Sequence, residues 1–141
     1  MEKLTIKEFQ DKSNMEIIEE LMKKNNGYIT SKELDMFDIH RMYLSIMQEK
    51  GLIEKVASGI YIDINKIEDN YYIFGLSMPN VIYSHMTALY FHSLSIKAPN
   101  DVYDITVKRS YNSLHLRKHN VFYVDNDIYE LGLTEIETPM G

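Results

Sequence analysis

The chain contains no cysteine and no tryptophan, and only three prolines and six glycines in 141 residues. Without cysteine there is no disulfide framework and no thiolate metal site. The glycines are scattered singly, so neither GxxxxGK[ST] nor GxGxxG is present to cradle a phosphate, and no GxSxG presents a nucleophile. Asp125 and Asp127 are spaced Asp-x-Asp, but the Gly-Ser turn that a nucleotidyltransferase places before its Mg²⁺ aspartates is missing. The expectation is a protein that is not an enzyme and carries no cofactor or metal. No apolar run approaches the roughly 20 residues of a membrane span, and MEKLTIKEFQDK at the start lacks the apolar core of a signal peptide. A cytoplasmic protein without a membrane partner is expected. Positive charge is scarce too: 15 Lys and Arg against 21 Asp and Glu give a net charge of −6, which argues against avid, non-specific nucleic-acid binding.

What is present is an ordinary globular composition, 45% hydrophobic and 26% charged, organised around residues 27–63. Thr30 and Glu33 form a Thr-x-x-Glu capping box opening a short helix from Ser31 to about Met36. Phe37-Asp38-Ile39 turns the chain into a second helix, from about Ile39 or His40 to Lys50. Gly51 follows where a left-handed residue ends a helix. Leu52 to Val56 and Ile60 to Ile62, joined by Ala57-Ser58-Gly59, read as a hairpin. Helix, turn, helix, ribbon is the layout of a winged helix-turn-helix, and Tyr28 with Ile29 supplies a short third strand.

The second helix indicates what the layout serves. Tyr43, Leu44 and Met47 fall on an inward stripe, whereas Arg41, Ser45 and Gln48 share the opposite face. Arg grips a guanine edge with two donors, Gln does the same for adenine, and Ser bonds base or phosphate. With His40 and Arg41 at the helix N-terminus, Lys32 nearby, and Lys55, Ser58 and Gly59 on the wing, these residues form the candidate DNA-binding set. An ordinary solvated face is the alternative. Residues 1–63 carry nine Lys and Arg against twelve Asp and Glu, so positive charge must be arranged locally and specificity must come from base contacts.

Upstream, Leu4, Ile6 and Phe9 suit a short docked helix or strand. Ser13 and Glu16 form a second capping box before a helix with the stripe Ile17, Ile18, Leu21 and Met22, ending near Asn25-Asn26-Gly27. Downstream, 65–69 is a polar link and the expected domain boundary. Asn70 to Met78 reads as a helix stopped by Pro79, Val81 to Tyr83 as a brief strand, and His85 to Leu94 as a helix capped by Ser84. Tyr103 to Val107, Val121 to Val124 and Thr134 to Glu137 read as strands of a small second domain, the last without a partner, which suggests that this domain is cut short.

Residues 105–124 contain Lys108, Arg109, Arg117 and Lys118 with His115 and His119 and no acidic residue. Interleaved with Tyr111, Phe122 and Tyr123, this island suits a second nucleic-acid contact or a solvated loop. His115 and His119 stand at i, i+4, but with no HExxH frame and no neighbouring carboxylate they make a poor metal pair.

The segment PNVIYSHMTALYFHSLS at 79–95, with GYIT at 27–30, HRMYL at 40–44, SGIYI at 58–62 and DNYYI at 69–73, resembles the AbiEi-type antitoxins of bacterial abortive-infection toxin–antitoxin systems. The resemblance runs from about Met15 to Gly141. It departs from the family pattern at Met86, where an acidic residue is usual, and at 107–111, where a Val-Pro-x-Gly-Tyr-like segment is usual. It implies a winged-helix domain that binds inverted repeats in its own operon promoter and represses it. It also implies a second domain that neutralises a nucleotidyltransferase toxin without a stable complex, with His85, Thr87 and His92 in its signature.

The expected architecture is therefore α+β: a winged helix-turn-helix over 1–64, then a partial α/β antitoxin domain over 65–141. The expected function is that of a DNA-binding antitoxin and autorepressor whose partner is double-stranded promoter DNA. The alternative is a winged-helix protein-interaction module that does not bind DNA.

Overall fold

A computed structural model describes residues 13–137. The segment with Leu4, Ile6 and Phe9, and the last four residues, lie outside the described residues. Within them the chain is mixed α+β, with five α-helices and two three-stranded sheets. No helix among the described residues is long and apolar enough to cross a membrane. The chain divides after Ser77 into two units.

The first unit runs α1 (Asn14–Lys24), β1 (Tyr28–Thr30), α2 (Ser31–Met36), α3 (Met42–Glu49), β2 (Ile53–Ala57), β3 (Ile60–Asp63) and α4 (Asn70–Ser77). Both capping boxes form. Ser13 N–H donates to Glu16 at 2.9 Å, and Thr30 N–H donates to Glu33 at 2.9 Å while Glu33 N–H returns to the Thr30 hydroxyl at 3.2 Å. The other Glu33 oxygen accepts from the Asn25 amide at 2.6 Å, so one carboxylate starts α2 and holds the end of α1. Each of the first three helices ends on a left-handed residue (Asn26, Asp38 and Gly51). The next amide folds back to the carbonyl five residues earlier: Gly27 to Met22, Ile39 to Leu34, Leu52 to Met47, at 2.7 to 3.0 Å. These repeated stops let three short helices pack as a cluster.

The sheet, order β1-β3-β2 and antiparallel throughout, has an apolar layer on each face because its strands alternate. Ile29 and Ile53 face the helices, joining Ile17, Ile18, Leu21, Met22, Leu34, Ile39, Leu44 and Met47 in one cluster. Tyr28, Ile60 and Ile62 face the other way and are covered by Ile73, Tyr72 and Leu76 of α4. Asp69 is buried and its carboxylate accepts from the amides of Tyr71 and Tyr72 at 3.0 and 3.3 Å, capping α4. Its own amide donates to the Tyr28 hydroxyl at 2.9 Å. The polar link at 65–69 is thus the lead-in to a helix that closes the first unit's sheet, and the division falls at 77/78 rather than at 64/65.

The second unit contains β4 (Ile82–Tyr83), α5 (His85–Phe91), β5 (Asp104–Lys108), one 3-10 turn (Leu114–Leu116) and β6 (Asn120–Val124). Its sheet order is β4-β5-β6, with β5 antiparallel to β4 and parallel to β6. Ile105 and Val107 on the central strand are fully buried. Two expectations are corrected here. Residues 134–137 are exposed and form no strand, as suits a stretch carrying Glu135 and Glu137 with little apolar surface to bury. Helix α5 stops at Phe91 rather than Leu94, because Ser93 turns left-handed (φ +59) and Leu94 N–H closes on Leu89 C=O at 2.8 Å.

Candidate nucleic-acid interface

Leu44 and Met47 are 2% and 1% exposed and anchor α3, while Arg41, Ser45 and Gln48 on its other side are all exposed. The helix proper begins at Met42, later than the sequence spacing suggests. His40 acts as its cap: the imidazole Nδ1 accepts from Met42 N–H at 3.1 Å, and the His40 carbonyl accepts from Tyr43 N–H at 3.2 Å. An accepting Nδ1 leaves the Nε2 hydrogen as the donor of this exposed ring.

Arg41 is engaged. Its Nε donates to Asp35 Oδ1 at 3.1 Å and its Nη2 to Asp35 Oδ2 at 2.5 Å, a two-point pair across the turn between α2 and α3 with both side chains more than half exposed. The guanidinium holds the Asp35 carboxyl below its ordinary range, and the carboxylate raises Arg41 in turn. Asp35, six residues before Arg41, is the participant that sequence reasoning missed. Its spacing matches no helical period, because a left-handed turn at Asp38 intervenes.

Lys55 is exposed on the edge strand β2 and pairs in register with Tyr61, whose ring packs on the helical cluster. Register partners in an antiparallel pair share a face, so Lys55 leaves the sheet on the side where α3 lies. The β2–β3 turn has a different neighbour. Ser31 N–H donates to Gly59 C=O at 2.9 Å, and Gly59 sits at φ +70, where a Cβ would meet Ser31 Oγ at 2.6 Å. The tip, Gly59 with exposed Ser58, is therefore pinned to the start of α2, one residue from exposed Lys32. The structure thus groups Lys32, Ser58 and Gly59 at one place, and His40, Arg41, Ser45 and Gln48 along α3.

In the second unit the basic island is partly occupied by its own chain. Arg109 pairs with Asp125 at 2.9 Å, and Lys108 Nζ lies 5.1 Å from the centre of the Tyr129 ring. Arg117 and Lys118 are exposed just after the 3-10 turn. His115 is exposed but His119 is buried, its Nδ1 accepting from Tyr103 N–H at 3.1 Å and its ring stacked on Tyr103. The two imidazoles therefore do not share a solvent-facing side. No group of three or more His, Asp or Glu that could hold a metal occurs among the described residues.

Residues of the 79–95 segment act in large part as a clasp around Asp104. The Asp104 carboxylate accepts from Met86 N–H at 3.0 Å and from the Asn120 amide at 2.9 Å, and Asp104 N–H donates to the buried Thr87 hydroxyl at 2.8 Å. Ser84 stands at the cap position of α5, but its hydroxyl makes no capping bond. It accepts from Thr106 at 2.8 Å and lies 3.0 Å from His85 Nδ1, so Asp104, from a distant strand, serves the helix start instead. His85, at φ +48, lies flat on Phe122 with ring centres 3.7 Å apart. His92 is exposed at the end of α5.

Comparison with known proteins finds no family model that matches the chain and no matching curated protein. The likeness to AbiEi-type antitoxins rests on the residues quoted for it.

Proposed function

We propose that the first unit is a winged helix-turn-helix that binds duplex DNA, with α3 as the helix entering the major groove. The observation that carries this reading is the polar outer side of α3. Arg41, Ser45 and Gln48 are all exposed while Leu44 and Met47 lock the opposite side. The element order α1-β1-α2-α3-β2-β3, with β3 central in the sheet, supports it, as does Lys55 beside the helix. Phosphate contacts would come from Lys32, Lys55 and the Nε2–H of His40, with base contacts from Arg41, Ser45 and Gln48. In keeping with the family resemblance, the protein is an autorepressor and antitoxin. Its target is inverted repeats in its operon promoter, its toxin is a nucleotidyltransferase that it does not bind stably, and the setting is the bacterial cytoplasm.

Selection from a randomised duplex library tests this. The expected result is an enriched sequence whose affinity falls with salt by a log–log slope of about −0.9 per phosphate contacted. No enrichment at low salt overturns the proposal. The protein-interaction reading is favoured by one observation: Met36 and Met42, either side of the α2–α3 turn, are 72% and 51% exposed on a chain of net charge −6. It gains if no duplex binds at any salt.

A further inference from the structure

A two-point pair with Asp35 looks at first like the neutralisation of the best base-reading side chain in the unit. The atoms involved say otherwise. A guanidinium has five N–H donors in two useful forks: a side fork of Nε and one Nη2 hydrogen, and an end fork of one Nη1 and the other Nη2 hydrogen. Asp35 occupies the side fork, through Nε at 3.1 Å and Nη2 at 2.5 Å. The end fork stays open, and its two parallel N–H donors can span O6 and N7 of guanine in the major groove. The pair contributes little to stability because both partners are exposed. Its physical effect is to fix the torsions of a long side chain that would otherwise sample many rotamers. The fixing carboxylate sits on a rigid support. Helix α2 is closed at its start by the Thr30–Glu33 box and at its end by the Ile39-to-Leu34 bond.

We propose that Asp35 is a positioning residue that presents the end fork of Arg41 to a guanine in the bound duplex. The proposal rests on α3 being the DNA-reading helix, and it adds the base class read at one position and the residue that enforces it. A carboxylate so close to the phosphates lowers affinity for every duplex alike. Discrimination between bases, rather than overall affinity, is therefore the quantity Asp35 controls.

The test uses the full chain and the duplex enriched by selection, alongside the same duplex with each guanine replaced in turn by 7-deazaguanine or by adenine. Wild-type protein is expected to lose roughly five- to 150-fold in affinity at one guanine, the range for a two-point base contact. Asp35→Asn and Asp35→Ala are expected to shrink that ratio at the same guanine several-fold, while binding to the guanine-lacking duplex holds or improves. Arg41→Ala is expected to abolish the ratio, and adding Asp35→Asn to Arg41→Ala to change nothing further, the non-additivity of residues acting as a unit. Thermal melts of the variants, expected to match wild type because both side chains are exposed, show that folding is intact. A ratio unchanged in both Asp35 variants, or ratio and affinity rising together as a released lock would give, overturns the role of Asp35 and leaves the DNA reading standing. A selection that enriches nothing overturns both.

Discussion

The two units of this chain hold themselves together differently. Among the described residues the first unit buries fourteen large apolar side chains and leaves five exposed, whereas the second buries five and leaves twelve exposed. The first is a sheet sandwiched between a helical cluster and α4, so both faces of the sheet carry buried apolar side chains. The second is built on the single central strand β5, and α5 is attached to it by the polar clasp of Asp104, Thr87, Ser84 and Thr106 as much as by apolar contact. Packed burial makes a rigid base from which a helix can display polar side chains; a clasp keeps shape with less buried surface. That is why the candidate interface stands on firmer ground in the first unit than the basic island does in the second.

The contrast can be broken at its strongest point first. Leu34 is fully buried in the helical cluster. Leu34→Ala is expected to cost about 2–5 kcal/mol in urea denaturation, the usual range for deleting a buried Leu side chain. Asp104→Ala should cost about 1–2 kcal/mol, since it removes the partner of the Met86 amide and the Asn120 side chain. Amide exchange should show that loss in α5 and β6 while α1 stays protected. Equal loss of protection in both units would mean that they share one cooperative structure. A cost below that of an average surface substitution would mean that the clasp is decoration.

The smallest effect is a difference in acid sensitivity. Burial pushes the His119 imidazole below its usual range, with Lys118 adding to the shift. A histidine free in the unfolded chain titrates near 6.5, so the unfolded state takes up the proton first as pH falls. The stabilisation from keeping His119 neutral is full above about 6.5 and is lost as pH drops through the window between that value and the lowered folded one. Exchange protection of β5, corrected for intrinsic rates, should therefore decline between pH 7 and 5 more than that of α1, and His119→Gln should flatten the decline.

Much of the first unit is legible in the residues. The Ser13–Glu16 and Thr30–Glu33 boxes, the stop at Gly51, the inward stripe of Leu44 and Met47 and the outward set Arg41, Ser45 and Gln48 all depend on neighbours within a turn or two of helix. Three features were not legible, two because they are made between elements distant in sequence and one because a left-handed turn brings together residues at no helical spacing. Helix α4 belongs to the first unit because Tyr28, Ile60 and Ile62 need cover on the second sheet face, a need visible only once the strands are paired. The start of α5 is served by Asp104, eighteen residues on from Met86. The Asp35–Arg41 pair depends on a left-handed turn at an aspartate rather than a glycine, and Ser93 ends α5 early by the same device. In the second unit short apolar bursts also overstated the strands: residues 134–137 have the alternation of one and no partner to pair with.

Backbone amide shift mapping, with the enriched duplex titrated into the isotopically labelled 141-residue chain, tests the central claim most directly. The shifts that move should be those of residues 40–48 and 55–59, with Ser45 and Gln48 among the largest. Saturable shifts confined to 105–124, or none on α3 while the duplex binds, would contradict it.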